Sequence, residues 1–373
     1  MSKIVWLSDA DIIGSGYGNI TNSICNALVD LGHEVKEIGI TYAGQEHWNK
    51  FSILPARDFN DVMAMIQNLY IRWKFDIFVC AMDIPHQEKL VVAMKNRPFK
   101  YIGLMALEAG PLCVSWAMAL GMINKLFIIS DFGTKEVEKL GLSAEHIQIG
   151  IDTEFWKVPT KEEKHALRGT LGIDDETFIV LTVADNQERK NPLVLMETYA
   201  KFSVGKKTKY IMVTRENNLA GARLRDYATE IGIAHHFLLM ERGMPLKQLW
   251  GLYAISDAFL LLSKAEGLGM PILEAMSVGI PVIGTNCTGI ADLLADGRGL
   301  LVDYNYTYRD CFGNGTRYLP VVEHGVSLLN EVYDKGFDTT PAREYVEKRT
   351  WDIPALQMDK AIKELVHNAI NGQ

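Results

Sequence analysis

The chain has 373 residues, which is long for one hydrophobic core and predicts two domains. Its formal net charge of −8 argues against a generally basic nucleic-acid binder, although a local basic patch stays open. The five cysteines have no CxxC or zinc spacing, which indicates reduced cytosolic thiols. We see no signal peptide and no apolar run long enough for a bilayer, so we expect a cytoplasmic protein.

Short apolar runs alternate with helical patterns through the first part of the chain. The runs that predict strands are Lys3 to Ser8, Glu34 to Ile40, Phe75 to Ala81, Lys100 to Met105 and Lys125 to Ser130. Helices are predicted between them, at 59–73 and 87–96. This alternation predicts an α/β fold with a doubly wound parallel sheet.

The first strand is followed by Asp9-Ala-Asp11 and then by Gly14-Ser-Gly16-Tyr17-Gly18. A dinucleotide fingerprint would need a third glycine at position 19, where the chain has Asn19, so that fingerprint fails. The two acids form a DxD pair, but an oxygen-only metal site usually gathers more ligands than two carboxylates. We therefore predict no metal site here.

Polar residues follow two later strands of this domain. His86 lies in one predicted loop and is either an acceptor-side residue or a solvated surface histidine. Glu108 lies in the next loop, within Leu107-Glu-Ala-Gly-Pro111. Because the carboxyl ends of parallel strands share one edge of a sheet, we expect both loops to line one wall of a ligand site.

The second part of the chain repeats the alternation. Residues 157–168 carry a charge run that predicts a linker, and Thr177 to Ala184 predicts a buried strand. Arg189 and Lys190 precede a helix predicted from Leu193, where cations beside free backbone N–H groups suit a diphosphate. Two more strands are predicted at 209–214 and 237–240.

The most informative stretch, 263–284, reads SKAEGLGMPILEAMSVGIPVIG. Apolar strands at 258–262 and 280–283 flank a helix predicted at 271–278. Glu266 lies in the connecting loop, and Glu274 is predicted in the first turn of the helix, where an acid is also a common partner of the helix dipole. Gly267 and Gly269 give a ligand access to the backbone, and carboxylates with backbone N–H groups suit a nucleotide sugar.

This stretch resembles the E-x7-E signature of retaining GT-B glycosyltransferases, family four, over some twenty positions. The resemblance implies two Rossmann-like domains that face each other across a cleft, with a C-terminal helix that crosses back to the first domain. We place the domains at 1–156 and 170–348 and the terminal helix, opened by Trp351, at 349–373. It also implies transfer from a nucleotide-diphosphate sugar to an acceptor hydroxyl by a front-face reaction with no protein nucleophile, metal or other cofactor.

The resemblance implies roles for individual residues. Glu266 contacts the donor sugar and Glu274 the ribose hydroxyls, and Lys190 binds the diphosphate. The remaining donor-side candidates are Gly16, Tyr17, Arg189, Gly267, Leu268 and Gly269. Tyr17 either lines the cleft or packs.

Two positions depart from the family pattern. Glu108 stands where the family commonly has a histidine near the reacting carbon, and it is our candidate for that role, with His86 on the acceptor side. Asp185 stands where the family has a phosphate-binding arginine, so we expect Asp185 to point elsewhere and Arg189 to supply the second cation. We expect Arg215 and Glu241 to Gly243 beside the nucleotide base.

Residues 304–318, YNYTYRDCFGNGTRY, fit no strand or helix period and read as an insertion. Their tyrosines indicate an interface, an acceptor lid or packing on the domain's own surface. A basic group could contact a polyanion, including an anionic membrane surface, or could simply be solvated: Lys89, Lys95, Arg97 and Lys100.

Three other classes stay open: another enzyme on this architecture, such as an epimerase or a phosphorylase, an NAD-dependent oxidoreductase, and a non-catalytic nucleotide-sugar binding protein. Uridine and guanosine donors are not distinguished. The acceptor could be a glycan, a lipid, a metabolite or a modified DNA base.

Overall fold

A computed structural model describes residues 1–10, 15–218, 221–311 and 315–370. The chain divides into two compact units, one formed by Met1–Gly150 with Arg349–Gln373 and the other by Ile151–Lys348. Each unit is built on a parallel sheet with helices between its strands, as the alternating pattern predicts.

The first unit follows the predicted alternation of strand and helix. Its strands are β1 (Lys3–Asp9), β2 (Glu34–Ile40), β3 (Ser52–Ala56), β4 (Ile77–Ala81), β5 (Lys100–Met105), β6 (Lys125–Ile128) and β7 (Glu145–His146). Its first helices are α1 (Gly16–Asp30), α2 (Phe59–Trp73), α3 (Ile84–Ala93), α4 (Val114–Leu120) and α5 (Asp131–Glu138). Among the described residues the sheet order is β3-β2-β1-β4-β5-β6-β7.

The second unit contains a parallel sheet and a separate hairpin. Its strands are β8 (Phe178–Val183), β9 (Thr208–Thr214), β10 (Phe237–Glu241), β11 (Ala258–Leu261), β12 (Val282–Thr285), β13 (Leu300–Val302), β14 (Tyr304–Arg309) and β15 (Thr316–Pro320). Its helices are α6 (Lys161–Thr170), α7 (Pro192–Ser203), α8 (Leu224–Glu230), α9 (Leu246–Ile255), α10 (Met270–Val278), α11 (Thr288–Leu294), α12 (Val322–Lys335) and α13 (Thr340–Glu347). In the described part the sheet order is β10-β9-β8-β11-β12-β13.

The last helix, α14 (Asp352–Ile370), returns to the first unit as predicted. It packs on α1, and the His33 Nε2 atom just after α1 lies 2.8 Å from Asp359 Oδ1 on α14. The side chains of both residues are almost fully buried. This contact anchors the end of the chain to the first sheet's helical layer.

Each parallel sheet has one point where its strand order reverses. In the first sheet the reversal lies between β1 and β4, and in the second it lies between β8 and β11. The loops after two such strands leave in opposite directions and open a crevice at their carboxyl ends. The loops that carry Lys190 and Glu266 follow β8 and β11, so the topology brings them together.

The predicted linker at 157–168 is wrong. Most of it forms α6, which a capping box between Thr160 and Glu163 begins. Arg168 on this helix is 2% exposed and donates to the Ile255 carbonyl and to the Asp257 carboxylate. The charge run is a solvated face on most of its length, but this arginine joins α6 to the body of the second unit.

Residues 304–318 also differ from the expectation of no regular structure. They contribute an antiparallel hairpin in which Thr307 pairs with Tyr318 and Arg309 with Thr316. The sequence pattern fails here because tyrosines occupy both strands and a bulge after Tyr304 interrupts the alternation. Residues 312–314 lie outside the described part of the chain.

Other differences concern boundaries and elements that the sequence pattern does not mark. Helix α3 begins at Ile84 and not at Gln87, because Pro85 is accommodated in its first turn. Strand β3 and helices α4, α12 and α13 have no counterpart among the predicted elements. The first two are short, with weak periodicity, and such segments are poorly marked in a single sequence.

Candidate functional site

Glu266 is the centre of a cluster of opposite charges in the second unit. Its Oε1 lies 2.6 Å from Lys190 Nζ and its Oε2 lies 3.0 Å from Arg189 Nη1. Arg189 Nη1 also donates to the Ala265 carbonyl at 2.7 Å. The side chain of Glu266 is 5% exposed, and those of Lys190 and Arg189 are 17% and 20% exposed. The structure thus assembles three of the predicted donor-side residues.

The charges around Glu266 decide its protonation. Burial acts to raise the pKa of this carboxyl, but the attraction of Lys190 and Arg189 outweighs burial and lowers it to about 2. Glu266 is therefore a carboxylate at neutral pH. A carboxylate fixed between two cations can accept hydrogen bonds from sugar hydroxyls, while the cations suit an adjacent phosphate.

Thr288 holds the backbone of Glu266, a role that the sequence did not suggest. Its hydroxyl accepts from the Glu266 N–H at 2.9 Å and donates to the Glu266 carbonyl at 3.0 Å. The Gly289 N–H donates to the same carbonyl, and a Cβ at Gly289 would lie 2.7 Å from the Gly267 carbonyl oxygen. Only glycine at 289 lets the two segments approach this closely.

The backbone of Thr288 is strained. Its φ of +45° is unusual for a β-branched residue. The two hydroxyl contacts with Glu266 offset part of that strain.

The helix after the signature loop lies between two glycines. Gly269, with φ of +95°, precedes α10, and Gly279, with φ of +79°, ends it. These are conformations that other residues rarely adopt. Gly267 and Leu268 are buried in the loop, and Pro271 occupies the first turn. The predicted glycine-rich loop and helix are therefore both present.

Glu274 lies just beyond the first turn of α10, because the helix begins at Met270, one residue earlier than predicted, and its first turn contains no acid. A partner for the helix dipole is thus excluded as its role. Its carboxylate is buried and accepts from the Tyr253 hydroxyl at 2.7 Å. Burial raises the pKa of Glu274 to about 7, against the lowering effect of Tyr253 and of the Arg242 charge.

The Asp185 carboxylate contacts two other cations, in agreement with the expectation that it points elsewhere. Its carboxylate is bound by Arg215 through Nε at 2.9 Å and Nη2 at 2.7 Å, and Arg242 Nη1 lies 3.9 Å away. Burial acts to raise the pKa of Asp185, yet Arg215 and Arg242 lower it overall. Arg242 acts on both Asp185 and Glu274, so it joins two of the predicted positions electrostatically.

The candidates in the first unit lie at the carboxyl edge of its sheet. Gly16 begins α1, with no atom within 4 Å of a Cβ placed there. Tyr17 donates to Asp83 Oδ1 at 2.9 Å, and its oxygen accepts from the Ala106 N–H at 2.9 Å. This hydroxyl joins the start of α1 to the loops after β4 and β5, which supports packing as one of its roles.

Glu108 is half-buried in the loop after β5, and its carboxylate has contacts within the chain. His86 is exposed in the first turn of α3 and not in a loop. Their predicted acceptor-side and catalytic roles stay predictions. Asp9 accepts from the Thr41 hydroxyl at 2.6 Å, whereas Asp11 and Gly14 lie outside the described residues.

Three of the four predicted basic residues share one cavity. Lys95, Arg97 and Lys100 line a cavity of about 790 Å³ in the first unit, together with Lys74 and the aromatic rings of Tyr70, Phe75 and Phe99. Arg97 is partly engaged, since its Nη2 donates to the Met122 carbonyl at 2.6 Å. Lys89 does not line this cavity. A polyanion contact stays a prediction.

The described ranges contain neither a candidate membrane span nor a candidate metal cluster. No helix there is both long enough and apolar enough to cross a membrane. No group of three or more His, Cys, Asp or Glu residues there is placed to hold a metal ion.

A family profile, "Glycosyl transferases group 1", matches residues 163–309. This range contains the whole Glu266 cluster, Glu274 and Asp185. Through this region the chain is similar to that family. The group 1 match ends at the last residue of β14, so β15 lies outside it.

Curated relatives match this chain over a limited range. A D-inositol 3-phosphate glycosyltransferase of Rhodococcus opacus is 29% identical over 152 residues, which is 39% of this chain and 34% of the relative. An O-antigen chain mannosyltransferase B of Escherichia coli is 44% identical over 62 residues, or 17% and 16% of the two chains. The match thus spans about a third or less of these relatives.

Solved structures match over nearly the full length. Sucrose-phosphate synthase from Thermosynechococcus elongatus has a TM-score of 0.79 at 14% identity and covers 98% of this chain and 99% of its own. Anabaena Alr3699/HepE in complex with UDP and glucose has a TM-score of 0.78 at 15% identity, with 98% and 100% covered. The fold of this chain is therefore the GT-B fold, as the sequence predicts.

Proposed function

We propose that this protein is a retaining glycosyltransferase that moves a sugar from a nucleotide-diphosphate sugar to an acceptor hydroxyl. The observation that carries the proposal is the Glu266 carboxylate, buried between Lys190 and Arg189 at the switch point of the second sheet. Solved neighbours contain UDP with glucose, or UDP-glucose, which supports a UDP-linked donor as the first candidate. A curated relative described as GDP-mannose-dependent keeps guanosine donors in the test.

In the proposed reaction the bond between the sugar's anomeric carbon and the diphosphate breaks, and a bond from that carbon to the acceptor oxygen forms on the same face. The departing phosphate oxygen takes the proton of the acceptor hydroxyl. Lys190 and Arg189 stabilise the negative charge that grows on the diphosphate, and the amide groups of the signature loop add hydrogen bonds. Glu266 orients the sugar hydroxyls, and Glu274 accepts from the ribose hydroxyls.

The test is a calorimetric titration of UDP-, GDP- and ADP-sugars into wild-type protein and Glu274→Ala. We expect one nucleotide class to bind wild type and to lose affinity in the variant, because its ribose hydroxyls lose their acceptor. Tyr199→Phe is a matched control, since it also removes a buried polar group of the second unit. Failure of folded wild type to bind any of the three classes would reject the proposed donor.

Turnover separates an enzyme from a nucleotide-sugar binding protein. We expect slow release of free sugar from the bound donor, measured by nucleotide release, because a water molecule can take the place of the acceptor hydroxyl. Addition of a chelator should leave that rate unchanged if no metal takes part, and a lost rate would contradict this. Donor binding without any turnover, in the presence of glycan, lipid and DNA acceptors, would favour the binding-protein alternative.

A further inference from the structure

The hairpin β14–β15 is attached to both loops that carry the Glu266 cluster. The Lys264 N–H donates to the Arg189 carbonyl at 2.8 Å, which joins the signature loop to the Arg189–Lys190 segment. The Tyr318 N–H on β15 donates to the Lys264 carbonyl at 2.9 Å, which joins the same loop to the hairpin. Lys264 therefore connects three segments through its backbone alone.

The side chains repeat this connection. Lys264 forms an ion pair with Glu188, the residue before Arg189. The Tyr308 hydroxyl on β14 donates to Glu188 Oε1 at 2.7 Å and accepts from Lys264 Nζ at 3.2 Å. Burial acts to raise the pKa of Glu188, but its bonds with Lys264 and Tyr308 lower it overall. Glu188 is thus held as a carboxylate next to the two cations of the site.

The turn end of the hairpin is itself fixed by charge. Arg317 Nη2 on β15 lies 2.7 Å from Asp310 Oδ2 just after β14, and their side chains are 6% and 8% exposed. Arg317 also acts electrostatically on Glu188. A buried pair of this kind is costly to disturb, so the hairpin is a firm support and not a loose loop.

We propose that Tyr308 is a positioning residue of the nucleotide-sugar site, which fixes Arg189 and Lys190 through Glu188 and Lys264. This inference rests on the proposed function, and it assigns the hairpin to the donor side and not to an acceptor lid. Tyr308 has no direct role in the chemistry. Its hydroxyl sets the spacing of the two loops, and therefore the place where the two cations meet a diphosphate.

The experiment compares Tyr308→Phe with Tyr306→Phe. The first change removes only the bridging hydroxyl, and the second is made at a neighbouring tyrosine that is 60% exposed. Affinity is measured for UDP and for uridine, or for GDP and guanosine if the donor titration selects guanosine. Amide hydrogen exchange is followed at Lys264 and Tyr318, whose N–H groups make the two backbone links.

We expect Tyr308→Phe to weaken diphosphate binding by roughly three- to tenfold, the range expected for one lost hydrogen bond to a charged group. Nucleoside binding should be unchanged, because it does not use the two cations. Exchange at Lys264 and Tyr318 should become several-fold faster. Tyr306→Phe should change neither quantity.

A double-mutant cycle tests the route of the effect. If Tyr308 acts through Glu188, Glu188→Gln combined with Tyr308→Phe should weaken diphosphate binding by less than the product of the single effects. Equal weakening of diphosphate and nucleoside by Tyr308→Phe would indicate a general structural defect and would overturn the inference. Unchanged hydrogen exchange at the Lys264 and Tyr318 amides of Tyr308→Phe would overturn the inference, whether or not wild type binds a nucleotide. Absence of nucleotide binding in wild type would instead reject the proposed function.

Discussion

The Lys190 Nζ atom lies 2.6 Å from Oε1 of Glu266, and both side chains are largely buried. The pair forms because two neighbouring strands, β8 and β11, end at the same edge of the second sheet. A ligand diphosphate at this edge would meet a cation that already has a carboxylate partner. The contact is therefore both a structural support and the centre of the proposed site.

Glu266→Gln should lower stability and abolish most sugar transfer. The change leaves two buried cations beside a neutral amide, and breaking a buried pair in this way typically costs about 3–5 kcal/mol. Because the pKa of Glu266 is held at about 2, its contribution to the free energy of unfolding is present above pH about 4.5. This contribution is lost as the pH falls toward 2. Denaturant unfolding of both proteins across this range measures it. A constant difference between them down to pH 2 would contradict the assignment.

Thr288→Val should destabilise the protein by about 1–3 kcal/mol, because it keeps the branched shape but removes the hydroxyl that bonds Glu266 twice. Thr285→Val is the matched control. Thr285 is fully buried, and its hydroxyl has no hydrogen-bond partner in the described part of the chain, so this change should be neutral or stabilising. Urea midpoints of the two variants give the comparison. Equal losses would mean that the Thr288 contacts contribute little.

Tyr253→Phe should shift the pH dependence of donor binding. Burial raises the pKa of Glu274 to about 7, and removal of the Tyr253 hydrogen bond, which lowers this pKa, should raise it further. If the ribose hydroxyls require the ionised Glu274 carboxylate, the affinity for the donor rises with pH. The pH midpoint of that rise should be higher in Tyr253→Phe than in wild type. Calorimetry between about pH 5.5 and 9 measures the midpoint. Tyr199→Phe, which removes a bond to Thr208, should leave the midpoint unchanged.

Asp185→Arg, which restores the family residue, should impair the protein. The new guanidinium would lie at a buried position beside Arg215 and Arg242, so we expect a loss of about 3 kcal/mol or more and no gain in UDP affinity. Asp185→Asn keeps the shape and should cost less. Tighter UDP binding by the arginine variant would show that position 185 faces the phosphates.

Glu37→Gln should remove a pH dependence in the first unit. Glu37 is 1% exposed, neither of its carboxylate oxygens has a hydrogen-bond partner among the described residues, and burial with the nearby Asp9 charge raises its pKa to about 8. The contribution of Glu37 to the free energy of unfolding is present in full below pH about 4.5. It declines by about 5 kcal/mol as the pH rises to 8. Thermal or denaturant unfolding of wild type should follow that decline. Glu34→Gln, at an exposed position of the same strand, should leave the decline intact.

The α/β class, most of the parallel strands and the segment that carries the site could be predicted from the amino-acid sequence alone. These features are local: buried strands are continuous apolar runs, and Gly269 and Gly279 mark the ends of α10 through their backbone requirements. Glu266 and Lys190 were each predicted just after a parallel strand, where α/β sheets bind ligands, and the resemblance to retaining GT-B glycosyltransferases implied that they share one donor site with Arg189.

Which side chains contact each other depends on the tertiary structure. The pairs Asp185–Arg215 and Glu274–Tyr253 join residues 30 and 21 positions apart, and no local period connects them. The contact of Tyr308 with Lys264 is also long-range, whereas the hairpin itself was missed because a bulge interrupts the alternation of its strands. Local propensity fixes elements, whereas the protonation of Glu266 and Glu274 depends on burial and neighbouring charge, which exist only once the chain has folded.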